Sequence, residues 1–199
     1  MRLTNRWNRL VYRLWAPLYD GVFDRVFAAS GRRQAIATLN AQRGEWILFV
    51  GIGTGADLPL LPAGVFAVGV DLSPEMLSRA RARARQLQEQ KVILAQGDAQ
   101  MLPLPGGAFD AAVLNLVLSV VPDGAACLRE TVRVLKPAGR IVVFDKFLPN
   151  GKSVGIGRGF LNLITTALGT DITRHLSDIL AGNQCLVVSN EPSLLRGKY

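Results

Sequence analysis

The sequence predicts an α/β fold: a doubly wound, mostly parallel sheet with helices on both faces. Two observations carry this expectation. From Trp46 onward, apolar runs of strand length alternate with helical segments, and strands separated by helices build parallel sheets covered on both sides. The first run, Trp46-Ile47-Leu48-Phe49-Val50, feeds a glycine turn, Gly51-Ile52-Gly53-Thr54-Gly55, and the second ends on an acid, Asp71. The chain has 199 residues, enough for one domain over 1–199 with a full core. Within it, residues 1–40 read as an N-terminal helical lid, 46–146 as a ligand-binding core and 147–199 as the partner-side remainder.

Composition narrows the class. The apolar and charged fractions, 49% and 19%, are those of a globular protein. No apolar run reaches membrane-spanning length, and the start lacks a secretory signal. Cys127 and Cys185 are far apart, with no Cys or His at metal-ligand spacing, so we expect reduced thiols, no metal and a cytoplasmic protein. The net charge of +8, from 23 basic and 15 acidic side chains, favours an anionic partner.

Residues 1–30 read as one helix or two. Leu3, Trp7, Leu10, Val11, Leu14, Trp15 and Leu18 recur at helical spacing, with Arg2, Arg6, Arg9 and Arg13 on a neighbouring face. Pro17 ends or kinks this helix, and a second one reaches about Asn40. Tryptophans beside arginines suit a helix lying on an anionic membrane surface. They suit equally a helix that covers a pocket and leaves its arginines in water.

The first strand is expected at 46–50, followed by a helix cut short by Pro59 and Pro62, and the second strand at 65–70. Ser73-Pro74-Glu75 starts a helix with a hydroxyl cap, a first-turn proline and an acid near the positive end of the dipole. Its Arg79, Arg81, Arg83 and Arg85, spaced by two, point around the helix. A solvated face therefore outweighs a nucleic-acid track, and no aromatic platform interleaves with the basic residues. Strands follow at 91–95, 109–115 and 140–146, with a helix at 122–135. Beyond Phe147 come a turn at Pro149-Asn150-Gly151, a helix over 172–181 and a short strand at Cys185–Val188.

The chemistry is concentrated at the strand ends. A strand, glycine turn and helix start aim backbone N–H groups at a ligand, and glycine allows its close approach. Asp71, about 20 positions after Gly51, suits a ribose diol. A nucleoside-containing cofactor is therefore expected. Gly51, Gly53 and Ala56 also satisfy the looser dinucleotide pattern. Asp98, in Gly97-Asp98-Ala99 after the third strand, can accept a hydrogen bond from an exocyclic amine such as adenine's.

The motifs G-x-G-T-G, Asp71-Leu72-Ser73, Gly97-Asp98-Ala99, Leu102-Pro103-Leu104-Pro105, Phe109-Asp110 and Leu135-Lys136-Pro137-Ala138-Gly139-Arg140 follow in that order. In this order the chain resembles the class I S-adenosylmethionine-dependent methyltransferases. Within them it most resembles the quinone C-methyltransferase and bacterial phosphatidylethanolamine N-methyltransferase group, and Leu118-Ser119-Val120-Val121-Pro122-Asp123 and Phe144-Asp145-Lys146-Phe147 favour the second comparison.

The resemblance implies a Rossmann-like, seven-stranded sheet, whose last strand is expected to be cut short at Gly197-Lys198-Tyr199. It implies S-adenosylmethionine as cofactor and S-adenosylhomocysteine as product. Gly51, Gly53, Thr54 and Gly55 would shape the loop against the methionine, and Asp71 would hold the ribose beside Leu72 and Met76. Asp98 and Ala99 would meet the adenine, Asn115 and Leu116 would lie beneath the sulfonium, and Tyr12 and Tyr19 would close the site. Relatives usually carry an acid two positions before the first glycine, where it helps to hold the cofactor's ammonium. Here that position is Phe49, with Asp57 or Asp71 as the compensating acid.

Methyl transfer from a sulfonium is an in-line displacement in which positioning supplies most of the acceleration. An amine acceptor must lose a proton, and Tyr19, Asp145 and His175 are the candidate groups to take it. The expected acceptor is a small molecule or a lipid head group, phosphatidylethanolamine first, on a protein peripheral to the inner membrane face. A soluble quinone or natural-product methyltransferase and a non-catalytic cofactor-binding protein docking on membranes are the alternatives. Nucleic acid is disfavoured.

Overall fold

In the computed structural model, residues 4–5, 29–87, 91–148 and 170–191 are described. Apart from Thr4 and Asn5, the first helix through Pro17 lies outside them, as do the lid residues Tyr12 and Tyr19, residues 149–169 and the expected last strand. Among the described residues, no helix is long and apolar enough to cross a membrane.

Helix α1 (Ala29–Leu39) precedes β1 (Trp46–Val50), and β2 (Phe66–Asp71) leads into α2 (Pro74–Ala84) and β3 (Lys91–Gln96). Then come β4 (Phe109–Asn115), α3 (Gly124–Val134), β5 (Leu135–Phe144) and the short α4 (Leu176–Leu180). The sheet has the order β3-β2-β1-β4-β5, and all its pairings are parallel.

The apolar runs explain this arrangement. Alternate side chains of a strand face opposite sides, so a strand between two helical layers is apolar throughout. In β1, Leu48 and Val50 pack with Val68, Val70, Ala112 and Leu114 against Cys127, Leu128 and Val134 of α3. Ile47 and Phe49 face the other layer, with Ile36 and Leu39 of α1 and Leu77 of α2. Phe49 is 1% exposed, so this side chain belongs to the core.

Local chemistry sets the element boundaries. Ser73 caps α2 by accepting from the Met76 N–H (3.2 Å), with Pro74 in the first turn. Asp123 caps α3 through the Ala126 N–H (2.9 Å). The helix expected after the glycine turn contracts to a 3-10 turn, Leu58–Leu60, because Pro59 and Pro62 leave it no room. The expected fifth strand lengthens to Leu135–Phe144, but its register jumps from Phe109↔Leu135 to Ala111↔Arg140. Lys136–Gly139 bulges out between, with Ala138 at φ 61°.

Three expectations are corrected. The sheet has five strands among the described residues, not seven. Cys185–Val188 forms no strand: Leu186 and Val188 are 88% and 89% exposed. Its β-branched composition favours a strand, but a strand exists only against a partner ladder. The helix expected over 172–181 also shortens, to five residues.

Candidate active site

The order of the sheet locates the site. Successive strands step from β1 to β2 to β3, and the chain then crosses to β4 on the other side of β1. Ligands of open α/β sheets bind at the carboxyl ends of the strands where the order reverses. The cavity lies there. It is lined by Gly51, Gly53 and Thr54 after β1, Asp71, Leu72 and Met76 after β2, Asp98 and Ala99 after β3, and Asn115 and Leu116 after β4.

Each strand end is built for this position. Gly51 and Gly53 have φ of 66° and 57°, in the left-handed region that side chains rarely adopt. A Cβ on Gly51 would stand 2.7 Å from Val117 Cγ2, whereas one on Gly53 would meet nothing within 4 Å. Gly55 serves packing instead: it lies outside the cavity lining, and its Cβ would press on Leu58 and Ala80. Arg83 donates to the Thr54 carbonyl (2.7 Å) and hydroxyl (3.0 Å). One arginine of the expected solvated face thus holds the loop.

Asp71 stitches two strand ends together. Its Oδ2 accepts from the Gly53 N–H (2.7 Å) and its Oδ1 from the Ser73 N–H (2.9 Å). Desolvation pushes its carboxyl above the usual range, opposed by these backbone donors. Each oxygen has a second lone pair for a ligand hydroxyl. Asp98 accepts at Oδ2 from the Asn5 amide (2.6 Å) and at Oδ1 from the Gln100 N–H (2.9 Å). Asn5, from the N-terminal segment, itself lines the cavity.

Across the cavity, Asn115 and Leu116 end β4. Leu116 is held at φ 58°, with its N–H on the Phe144 carbonyl (2.7 Å). The Asn115 amide donates to Asp57 Oδ2 (3.0 Å), which also pairs with Arg32 Nη1 (2.9 Å). Arg32 was not foreseen. The signal was legible: Arg32, Ala35, Ile36 and Leu39 make one buried stripe of α1, and an arginine on an apolar stripe needs a reason.

The structure does not bring Asp145 or His175 to this cavity's lining. Asp145 Oδ2 accepts from the Ser119 N–H and Oδ1 from the Lys146 N–H (2.9 and 2.8 Å), and desolvation raises its pKa. His175 caps α4 without a side-chain bond, and its backbone bridges to Leu148. No cluster of metal-ligating side chains occurs among the described residues.

A family described as a methyltransferase domain matches residues 48–143. A phosphatidylethanolamine N-methyltransferase of Cereibacter sphaeroides is 39% identical over 68% of this chain and 66% of its own length. Residues 48–143 form a methyltransferase domain of the class I S-adenosylmethionine-dependent kind. A 2-phytyl-1,4-naphtoquinone methyltransferase of Synechococcus elongatus is 40% identical over 67% of this chain and 61% of its own length. The likeness therefore spans less than two thirds of either relative. Among solved structures, the [4+2]-cyclase SpnF superposes with a TM-score of 0.73 at 25% identity, covering 90% of this chain and 72% of that one. A cyclase on a methyltransferase-like fold illustrates that the fold does not dictate the reaction.

The residues fit the family's cofactor, S-adenosylmethionine. Asp71 offers acceptors suited to a ribose diol, Asp98 one suited to an adenine amine, and the open side of Gly53 leaves room beside the backbone. The buried Asn115 Oδ1 lacks a hydrogen-bond partner among the described residues. That atom is suited to a donor on the cofactor.

Proposed function

We propose that this chain transfers a methyl group to a small-molecule or lipid acceptor, with the phosphatidylethanolamine head group as the leading acceptor. The observation that carries the transferase reading is the convergence of Gly53, Asp71, Asp98 and Asn115, from four strand ends, on one cavity. When bound, S-adenosylmethionine supplies an electrophilic methyl on a sulfonium. The protein's own part is to hold and orient. Asp71 takes the ribose beside Leu72 and Met76, Asp98 and Ala99 take the base, and the loop of Gly51, Gly53 and Thr54 lies along the methionine.

Leu116, Val117, Val120 and Val121 form an apolar wall of the cavity. Such a wall excludes water from the transfer and strengthens the electrostatics within. Tyr12 and Tyr19 are proposed to close the site. Of the candidate proton acceptors, Tyr19 is carried forward, because neither Asp145 nor His175 lines the cavity. The head-group preference rests on the relative from Cereibacter sphaeroides, the charge of +8 and the Arg2, Arg6, Arg9 and Arg13 series beside Trp7 and Trp15. These features also support docking on an anionic membrane surface.

The test is incubation with methyl-labelled cofactor and either anionic vesicles containing phosphatidylethanolamine or a demethylated quinone, with products read by mass spectrometry. Monomethylated head group is the expected product. Methylated quinone alone would replace the lipid reading, and cofactor binding without either product would favour a binding protein.

A further inference from the structure

Resting on the cofactor reading, we propose that Arg32 and Asn115, positioned by Asp57, recognise the amino-acid end of the bound cofactor. Arg32 takes its carboxylate and Asn115 Oδ1 its ammonium.

The direction of the ligand follows from the sheet. Asp98 follows β3, Asp71 follows β2, the glycine loop follows β1 and Asn115 ends β4, in the spatial order β3-β2-β1-β4. A nucleoside with its base at Asp98 and its ribose at Asp71 directs its 5′ substituent toward β1 and β4. That substituent is zwitterionic, so its recognition needs a cation and an acceptor. Arg32 is the one cationic side chain lining the cavity among the described residues. Its planar fork suits a carboxylate.

Asp57 organises both groups. It occupies the cap position of the 3-10 turn without making a cap bond. Its Oδ2 instead takes Arg32 Nη1 (2.9 Å) and Asn115 Nδ2 (3.0 Å). Asp57, Asn115 and Arg32 are 4%, 6% and 8% exposed, and buried charges persist only when paired. A carboxylate facing the Asn115 NH2 also fixes which way that amide points. Oδ1 is then the atom left to accept, and it has no partner among the described residues. Phe49 fills the core, so β1 supplies no acid here, and Asp57 is the acid that contacts both Arg32 and Asn115.

Two ligands separate this role from the rest of the site. S-adenosylhomocysteine carries the amino-acid group, and 5′-methylthioadenosine has the same nucleoside and sulfur without it. Calorimetry should show Arg32→Met losing about 10- to 100-fold for S-adenosylhomocysteine, the worth of a charged hydrogen bond, and little for 5′-methylthioadenosine. Asp57→Asn, which keeps an acceptor for Asn115, should show the same selective loss through Arg32. Arg32→Met/Asp57→Asn removes both charges and serves if the single variant fails to fold. Equal losses for both ligands, or none for either, would overturn the proposal while leaving the cofactor reading intact. Failure of the unaltered protein to bind either ligand would overturn both.

Discussion

Gly51 and Gly53 have similar positive φ but different surroundings, so an added methyl should separate folding from binding. Both have positive φ, where an L side chain costs about 1–2 kcal/mol. At Gly53 nothing lies within 4 Å of the new Cβ, so Gly53→Ala should lose about 1–2 kcal/mol of stability. At Gly51 the methyl would also meet Val117 Cγ2 at 2.7 Å and Cβ at 3.1 Å. Val117 is 6% exposed and packed into the core, leaving it little room to move. Overpacking adds about 1–3 kcal/mol, which brings Gly51→Ala to about 2–5 kcal/mol. Urea unfolding measures both losses, and titration with S-adenosylhomocysteine measures binding. Gly53→Ala should lose about tenfold or more in affinity, the effect of about 1.4 kcal/mol, from a methyl on the loop that the ligand must approach. Equal destabilisation of the two variants, or unaltered binding by Gly53→Ala, would refute the reasoning.

Three further outcomes are expected. Asp71 titrates above the usual carboxylate range because desolvation opposes its charge. Its contribution to stability is therefore largest below the unfolded carboxyl pKa and is lost as pH rises through the folded value. Asp71→Asn should flatten that part of the stability-versus-pH curve and weaken cofactor binding, and an unaltered curve would count against it. Asp110 is shifted the other way: burial raises its pKa, but Lys136 (2.6 Å) and the Trp46 N–H outweigh it. That stabilisation is present above the unfolded pKa and lost as pH falls through the folded one. Lys136→Met should cost about 0.2–1 kcal/mol at pH 7, the range for exposed pairs, and less near pH 3; an equal deficit at both would exclude the ion pair. Burial pushes the Cys127 thiol up to about 12, so a thiol reagent should label Cys185 in the native protein and Cys127 only on unfolding. Native labelling of Cys127 would contradict its 0% exposure.

Much of the fold was legible because its signals are local. Strand β1 was readable from five consecutive apolar residues, and α2 from a hydroxyl, a proline and an acid in a row. Asp71 and Asp98 were legible as site residues because each closes or follows a strand, and strand ends of such a sheet share one rim. The Cys185–Val188 strand was misread for the complementary reason: composition reports a preference, and pairing needs a partner far along the chain.

What the sequence determined by itself, then, was the run of elements and the acids and glycines at their ends, since helix caps, turn glycines and apolar periods act within a few residues. Which strands neighbour one another, and so which residues meet, only the tertiary structure decided. Arg32, Asp57 and Asn115 are 25 and 58 positions apart, and no local pattern joins them. Their meeting follows from α1 packing on β4 and β5 and from β1 lying beside β4. Burial supplies the reason that they bind one another: removed from water, a guanidinium, a carboxylate and an amide must find partners among themselves.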